Sequence, residues 1–513
     1  MSRPDSAVAA TGVAPGHGRS PGRRREGTAG GAPVVRRRAV AVAALAVPAL
    51  TLLVRLPLLR LPLDPDEGGY AYIAQRWADG ARLYSPQAWV DRPQGLMLLF
   101  RAIDAVSYSA LAVRLAAVLV AAVLAAAVGA IAWATVAATA RAPVAAAVTA
   151  GTAVLLGAGS LVEGYQLNGE LAASAVGSAG LAVAWWWRVG RVRTGWLLLA
   201  GALCGGALLV KQSAIDTAVV LAVLVATARR WRPLLLAVAG AAAALAAAAL
   251  HAVATGWSDW WYAVVQFQRT VAASQPLGGR WDGVRHVAWH VAPELAGASV
   301  VAVVALVLLR RRRLAGSTWW ALLALPLVAL LAIVSGPYAH PHYWVQAVAP
   351  LAVLVGVAVA LVPRRTGVAL TALALVVPLA LLAVLAARSP EHRTTTVVTD
   401  PRLLANDDVS AWLRAHSAPD DRVYAFVASA DVYLLADRLT GYPYLWQANV
   451  EHVPGARDEL AQYLSGAQAP RFVVVYQKPT DPGIDPDGRL GPILQWQYAP
   501  VAKVGGYQIL EHR

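Results

Sequence analysis

The sequence predicts a polytopic α-helical membrane protein with about eleven transmembrane helices and a small C-terminal α/β domain. Of its 513 residues, 58% are hydrophobic and only 14% are charged. The apolar residues form stretches of roughly the 20 residues that a helix needs to cross a bilayer. After about residue 388, short elements with charges of both signs replace these stretches. This composition excludes an ordinary soluble protein for most of the chain.

Residues 1–38 are predicted to form a disordered, basic, cytoplasmic tail. They are rich in Gly, Pro, Ser, Ala and Arg and show no apolar periodicity. The arginine runs at 23–25 and 36–38 favour the cytoplasmic side. The apolar stretch 39–61 is long and has no obvious cleavage site. We therefore expect a retained first span rather than a signal peptide.

The membrane domain is predicted to cover residues 39–387. Its expected spans are 39–61, 111–138, 142–160, 171–188, 195–210, 213–228, 233–254, 292–309, 317–335, 343–362 and 366–387. Every second connection is rich in arginine. The positive-inside rule then places the N-terminus in the cytoplasm and the C-terminal domain, 388–513, outside a bacterial plasma membrane. Because the net charge of +15 lies largely in these connections and the tail, it indicates topology rather than nucleic-acid binding.

The C-terminal domain is predicted to be a small α/β unit. Strands are expected at 422–427 and 471–476, and helices at 409–416 and 457–464. The runs 501–504 and 507–510 flank a Gly-Gly pair, which predicts a hairpin.

The first outer connection begins with an acidic cluster, Asp64-Pro65-Asp66-Glu67. Carboxylates at a membrane surface are costly and are usually kept for a function, such as acting as a base, holding a cation or binding a sugar hydroxyl. The alternative is a polar helix start that faces solvent. Apolar residues then recur with helical spacing from Tyr70 to Trp77 and from Leu96 to Ile103. This pattern predicts two amphipathic surface helices.

The other outer connections contain the polar motifs Asn168-Gly169-Glu170, Lys211-Gln212 and His340-Pro341-His342. Glu170 is either a functional carboxylate or the polar start of a helix. Lys211 is either an anion ligand or a snorkelling side chain, and Asp216 is a candidate partner for it. The two histidines are better suited to anchoring at the interface than to a metal, because no acidic ligands are evident beside them.

These motifs resemble, in order, those of GT-C superfamily glycosyltransferases of family 39 and its relatives, the protein O-mannosyltransferase and aminoarabinose-transferase-like enzymes. Asp66-Glu67-Gly68-Gly69-Tyr70-Ala71 is similar to their Asp-Glu-x-x-Tyr-Ala signature, Asp91-Arg92-Pro93 to an acidic-Lys-Pro-Pro motif, and Asn168-Gly169-Glu170 to an Asn-x-Glu element. Lys211-Gln212 and 340–344 resemble later landmarks. The resemblance covers nearly the whole chain after about residue 39. Arg92 and Gln94 depart from the family's Lys and second Pro.

The resemblance implies a GT-C-like fold and an inverting hexosyl- or pentosyltransferase of the cell envelope, of which a mannosyltransferase is one form. Its donor would be a polyprenyl-phosphate sugar, and its acceptor a hydroxyl of a glycan, lipid or protein. Asp66 would be the catalytic base, with Glu67 and Glu170 as further catalytic carboxylates. Substrate binding would fall to Asp64, Tyr70, Asp91, Arg92, Asn168, Lys211, Gln212, His340 and His342.

General chemistry agrees with this interpretation. The reaction needs a carboxylate to take the acceptor's proton and cations to stabilise the departing phosphate. The sequence has no Gly-x-x-x-x-Gly-Lys-Ser/Thr loop that would indicate a nucleotide site. The sequence indicates no cofactor with certainty and leaves the use of a divalent cation open; if Mg²⁺ or Mn²⁺ is used, Asp64 and Asp66 are the candidate ligands.

Two other functions are compatible with a polytopic protein of this kind. A transporter or flippase for polyprenyl-linked glycans would have charged residues deep in its spans, helices broken at mid-membrane and repeated halves. The sequence shows polar residues at the outer ends of the spans and no repeat. A non-catalytic cell-envelope assembly protein would keep the outer domain but would not depend on Asp66.

Overall fold

Eleven helices of the described chain occupy the predicted membrane spans. The computed structural model describes residues 45–312, 318–336 and 338–513, so the predicted tail at 1–38 lies outside the described residues. The helices up to residue 387 are α1 (Leu45–Leu58), α2 (Pro65–Ala78), α3 (Gln94–Asp104), α4 (Ala110–Thr135), α5 (Ala142–Leu156), α6 (Gly169–Arg188), α7 (Leu197–Val210), α8 (Ile215–Ala226), α9 (Trp231–Thr255), α10 (Trp257–Trp261), α11 (Phe267–Ser274), α12 (Leu277–Arg312), α13 (Trp319–Ser335), α14 (Val348–Leu361) and α15 (Arg364–Ala387). All except α2, α3, α10 and α11 correspond to predicted spans.

Length and composition support a membrane bundle. Among the described helices, α4, α9, α12, α15 and the segment Pro341–Leu361 that contains α14 are long and apolar enough to cross a bilayer. Five more, α1, α5, α7, α8 and α13, are shorter apolar helices. The predicted polytopic helical fold is therefore confirmed.

Helix α14 lies at the centre of the bundle, where every one of its residues is buried. It packs against α4, α5, α12 and α15. A helix that is apolar on all sides is typical of such a central position.

Small residues allow neighbouring helices to approach closely. Helices α7 and α9 pack along their length. A Cβ added at Gly201 would overlap the carbonyl oxygen of Ala237, and one at Gly240 would overlap that of Leu198. Helix packing in lipid depends on this close backbone contact, because the apolar effect does not drive helices together there.

The C-terminal domain forms a four-stranded sheet with helices. Its helices are α16 (Pro390–Val397), α17 (Pro401–His416), α18 (Asp431–Ala436), α19 (Gln447–His452), α20 (Ala456–Ser465) and α21 (Leu490–Gln497), and its strands are β1 (Val423–Ala425), β2 (Phe472–Val475), β3 (Tyr498–Val504) and β4 (Tyr507–His512). The strand order is β1-β2-β4-β3, with β1 and β2 parallel and the other pairs antiparallel. The predicted strands, helices and Gly-Gly hairpin are all present.

Both helices predicted between the first two spans are present, as α2 and α3. Helix α2 differs from a simple surface helix, because residues 67–74 are all buried. Helix α18 of the C-terminal domain packs against α2 and contributes to this burial. Residues 46–513 accordingly form one compact unit.

A buried ion pair joins α2 to the bundle. Glu67 has no exposed surface, and its carboxylate accepts a hydrogen bond from Arg114 of α4 at 3.0 Å. The same carboxylate accepts the backbone N–H of Leu167 at 2.7 Å and that of Asp64 at 3.1 Å. Arg114 also donates to the carbonyls of Pro62 and Tyr165. One carboxylate therefore ties together the start of α2, helix α4 and the loop before α6.

We expect Glu67→Ala and Arg114→Ala each to destabilise the protein strongly. Removing one partner of a buried ion pair leaves an uncompensated charge, at a cost of about 3–5 kcal/mol. The double variant should lose less stability than the sum of the two single variants. Thermal unfolding of the full-length protein in detergent measures these effects.

Asp282→Ala is the matched control, because it removes an ion pair with Arg285 that is largely exposed. Exposed pairs contribute about 0–1 kcal/mol, so its melting temperature should be close to the parent's. Equal, small effects from Glu67→Ala and Asp282→Ala would contradict the anchoring role of the buried pair.

Candidate functional site

A cavity of about 840 Å³ lies between the membrane helices and the C-terminal domain. Nine of the twelve residues that the sequence indicated line it: Asp64, Asp66, Tyr70, Asp91, Arg92, Lys211, Gln212, His340 and His342. Glu67, Asn168 and Glu170 do not line it and are buried behind its surface. The C-terminal domain contributes part of the lining, including Ser429, Trp446 and Asn449.

The start of α2 sets the position of Asp66. Asp64 is the N-cap residue and accepts the backbone N–H of Asp66 at 2.9 Å, while Glu67 accepts the N–H of Asp64. This capping box and Pro65 at the first helical position fix the first turn. Asp66 lies in that turn, where the helix dipole stabilises a carboxylate. Its side chain accepts a hydrogen bond from the Tyr70 hydroxyl at 3.0 Å.

Asp64 and Asp66, two of the carboxylates that line the cavity, have different environments. Burial, together with the charge of Asp66, raises the pKa of the Asp64 carboxyl well above its usual range. Burial likewise raises the pKa of Tyr70, so its hydroxyl keeps its proton and can donate to Asp66. Asp66 lines the cavity, is partly exposed there and accepts a hydrogen bond from the Tyr70 hydroxyl.

Glu67 does not lie where a catalytic carboxylate would need to be. Consecutive residues of a helix point about 100° apart, so Asp66 faces the cavity while Glu67 faces the bundle. All the space around the Glu67 carboxylate is taken by Arg114 and by the N–H groups of Asp64 and Leu167. The expectation that Glu67 touches the reacting groups is therefore not supported by its position.

Lys211 forms an ion pair with Glu170 at the cavity edge. Glu170 lies in the first turn of α6, which is capped by Asn168 through a hydrogen bond from the Leu171 N–H at 2.9 Å. The Lys211 ammonium also lies 4.4 Å from the centre of the Tyr343 ring. Asp216, the partner considered from the sequence, instead accepts the N–H of Thr217. The Lys211 ammonium therefore lies at the cavity surface, and the buried Glu170 carboxylate holds it there through the ion pair.

A second cation, Arg92, follows the same pattern. Its guanidinium donates to Asp91 at 2.6 Å and lies 5.9 Å from the centre of the Tyr70 ring. Asp91 is held in turn by the side-chain amide of Gln268 at 2.9 Å. Tyr70 is therefore in contact with both the carboxylate Asp66 and the cation Arg92.

The two histidines form a stacked pair at the cavity surface. Their ring centres are 5.1 Å apart with an interplanar angle of 8°. The Nδ1 atom of His342 lies 3.1 Å from a Glu163 carboxylate oxygen. Burial and the neighbouring His342 lower the pKa of His340 to about 4, so His340 is neutral near pH 7.

The carboxylates considered as metal ligands, Asp64 and Asp66, lie together at the start of α2. Across 45–312, 318–336 and 338–513, there is no group of three His, Cys, Asp or Glu side chains arranged to hold a metal ion. The candidate ligand Asp64 caps α2, and Asp66 is held by the Tyr70 hydroxyl. A role of Asp64 and Asp66 in holding Mg²⁺ or Mn²⁺ therefore stays a prediction, because Mg²⁺ is often bound through only one or two carboxylates together with substrate phosphate.

The C-terminal domain packs directly on the Asp66 helix. A Cβ at Gly69 would lie 2.6 Å from the Trp446 ring, and one at Gly68 would overlap Asp431. The Trp446 and Tyr70 rings are 5.4 Å apart. The glycine pair after Asp66-Glu67 is therefore required by this close approach.

Sequence reasoning missed several residues of the site region. Arg114 and Glu163 gave a usable signal, because charged residues at the edges of apolar stretches are unusual. Ser429, Trp446 and Asn449 gave none, since they belong to no motif and reach the cavity only through the tertiary fold.

Comparison with known proteins supports the fold. No family model matches the sequence, and no curated protein sequence matches it. ArnT from Cupriavidus metallidurans bound to undecaprenyl phosphate is similar in structure, with a TM-score of 0.63, 17% identity and coverage of 93% of this chain and 98% of ArnT. The apo structure of ArnT from the same organism has a TM-score of 0.59 and 16% identity over the same shares of the two chains. The chain therefore has the fold that ArnT adopts.

Proposed function

We propose that this protein is a membrane glycosyltransferase that moves a sugar from a polyprenyl-phosphate donor to an acceptor hydroxyl. The observation that supports this most is the meeting of Asp66 with Arg92 and Lys211 in one cavity. A base for a hydroxyl and cations for a phosphate are the two requirements of such a transfer. The similarity to ArnT, which has been seen with undecaprenyl phosphate, supports the choice of donor.

In this proposal Arg92 and Lys211 bind the lipid phosphate. Each already has a carboxylate partner, Asp91 and Glu170 respectively. These carboxylates hold the cations in place, and the phosphate shares their charge. Arg92 offers a planar fork of donors and Lys211 a point charge, so together they suit a phosphate with several oxygens.

Asp66 acts as the general base. The acceptor oxygen attacks the anomeric carbon of the donor sugar and gives its proton to the Asp66 carboxylate. The bond between the anomeric carbon and the phosphate oxygen breaks, and its electron pair leaves with the lipid phosphate. One displacement of this kind inverts the anomeric configuration. Tyr70 orients the Asp66 carboxylate through their hydrogen bond.

Glu67 and Glu170 are positioning residues in this mechanism. Glu67 anchors the helix that contains Asp66 through Arg114, and Glu170 holds Lys211. Neither carboxylate lines the cavity. This assignment replaces the direct catalytic roles that the family resemblance implied for them.

The arginine-rich connections support a cavity on the outer side of the membrane. They alternate along the chain with the connections that form the site. By the positive-inside rule the site and the C-terminal domain then face outward. A lipid-linked donor suits this side.

We expect Asp66→Asn to reduce transfer by about a hundredfold or more, because it keeps the side chain's size and removes the base. The assay supplies labelled polyprenyl-phosphate hexoses and pentoses to sealed right-side-out membrane vesicles and follows label entering endogenous acceptors. Asp79→Asn is the matched control, since Asp79 ends the same helix at an exposed position.

Three outcomes would overturn parts or all of this proposal. Parent-level transfer by Asp66→Asn would remove Asp66 as the base. Transfer that occurs only with inverted vesicles would place the cavity on the inner side. A parent that transfers none of the sugars would count against the glycosyltransferase itself.

Lys211→Met should reduce the donor kcat/KM by about ten- to a hundredfold, because a charge-assisted contact to phosphate contributes about 1.5–3 kcal/mol. Lys503→Met is the control, since Lys503 is exposed on a strand of the C-terminal domain. The double variant with Glu170→Gln removes the buried charge that Lys211→Met leaves unpaired, so it should regain stability without regaining activity. Unchanged donor kinetics in Lys211→Met would mean that Lys211 is not a phosphate ligand.

A further inference from the structure

Three residues of the C-terminal domain that line the cavity each have a buried polar atom without a partner among the described residues. Ser429 is 5% exposed and Asn449 is 2% exposed, and both line the cavity. No residue in the described part of the chain hydrogen-bonds to the Ser429 hydroxyl or to the Asn449 Oδ1. The indole N–H of Trp446, which lines the same region, also lacks a partner among the described residues. Buried polar groups are nearly always paired in folded proteins, so three such atoms beside one cavity are candidates to hydrogen-bond a bound ligand.

The backbone that presents Ser429 is strained. Val427 has a φ of 58° and Ser429 a φ of 55°, in the left-handed region that residues other than glycine avoid. A β-branched residue such as Val427 is especially unfavourable there. The strained loop connects β1 to α18 and lines the cavity at both residues. Strain of this kind persists mainly where it positions functional groups.

We propose that Ser429, Trp446 and Asn449 form a glycosyl-binding surface, the C-terminal wall, which recognises the hydroxyl groups of a sugar in the cavity. This inference rests on the proposed function and deepens it. It assigns the C-terminal domain a direct role in substrate recognition.

The chemistry of the C-terminal wall matches a sugar better than a phosphate or a lipid chain. Its unpaired atoms are a hydroxyl, an amide oxygen and an indole N–H, and all three are neutral. A hydroxyl can both donate and accept, the amide oxygen accepts and the indole N–H donates, which suits a ring with several hydroxyl groups. The proposed phosphate ligands, Arg92 and Lys211, lie on the membrane domain, while the cavity-lining Arg402 of the C-terminal domain is paired with Asp400.

The C-terminal wall lies next to the proposed base. The Trp446 ring is 5.4 Å from the Tyr70 ring, and the Tyr70 hydroxyl donates to Asp66 at 3.0 Å. A sugar held by Trp446 and its neighbours would thus lie beside Asp66. The sugar is either the transferred glycosyl group of the donor or a glycan acceptor, and both present the same hydroxyl chemistry.

Kinetics of purified full-length variants in lipid nanodiscs test the proposal. The donor is a polyprenyl-phosphate sugar used by the parent, and the acceptor is a solubilised extract of the membranes. Ser429→Ala and Asn449→Ala should each raise one KM by about three- to tenfold, the effect of one lost hydrogen bond to a substrate. A raised donor KM with unchanged affinity for undecaprenyl phosphate itself would place the donor sugar on the wall, whereas a raised half-saturating amount of extract would place the acceptor there.

Ser410→Ala is a matched control. Ser410 is 1% exposed and its hydroxyl also lacks a partner among the described residues, but it does not line the cavity. Its kinetics should equal the parent's. Ser429→Gly separates strain from recognition, since glycine adopts a positive φ without cost. It should unfold at the same or a higher temperature than Ser429→Ala and show the same raised KM.

The proposal is overturned if Ser429→Ala and Asn449→Ala both keep KM values within twofold of those of an active parent. This is the result expected of the control, Ser410→Ala. Parent kinetics in Ser429→Gly would likewise reduce Ser429 to a strained turn residue. Either result leaves the proposed function standing. A parent without transfer activity would instead overturn the proposed function and this inference with it.

Discussion

The buried pair of Glu67 and Arg114 constrains the geometry of the whole site. Two charges removed from water are costly unless each is fully hydrogen-bonded, and here the carboxylate has three donors. Those donors come from the start of α2, from α4 and from the loop before α6. The first turn of α2 is therefore fixed with respect to the bundle, and Asp66, one residue before Glu67, points about 100° away from it and lines the cavity. Two consecutive residues of one helical turn therefore have different surroundings: Glu67 anchors the helix to the bundle, and Asp66 lines the cavity.

The second constraint comes from the C-terminal domain, which covers the other side of the same helix. Gly68 and Gly69 admit Asp431 and Trp446 at distances that no side chain would permit. The Trp446 ring contacts the Tyr70 ring. Tyr70 in turn donates a hydrogen bond to Asp66 and makes a cation–π contact with Arg92. Helix α2 is held between the membrane helices and the C-terminal domain. Small motions of the C-terminal domain would be transmitted to Asp66 through these contacts.

The sequence was sufficient for the spans, the strands of the C-terminal domain and the Asp66 region, because these depend on local periodicity and composition. It also indicated Arg92 and Lys211. It could not indicate that Glu67 faces away from the cavity, since that depends on a partner in α4 outside the first loop. The pairing of Lys211 with Glu170 rather than Asp216 is likewise a tertiary contact. Ser429 and Asn449 had no pattern at all, because their role depends on where a separate domain packs.

A structure of the full-length protein in nanodiscs with undecaprenyl phosphate, determined by electron cryomicroscopy, tests the central claim most directly. We expect density for the lipid phosphate within about 4 Å of both Arg92 and Lys211, which is the range of close charged contacts. Asp66 should line the same cavity. Phosphate density that lies instead among the arginines at 310–312 and 364–365, with the cavity empty, would contradict it.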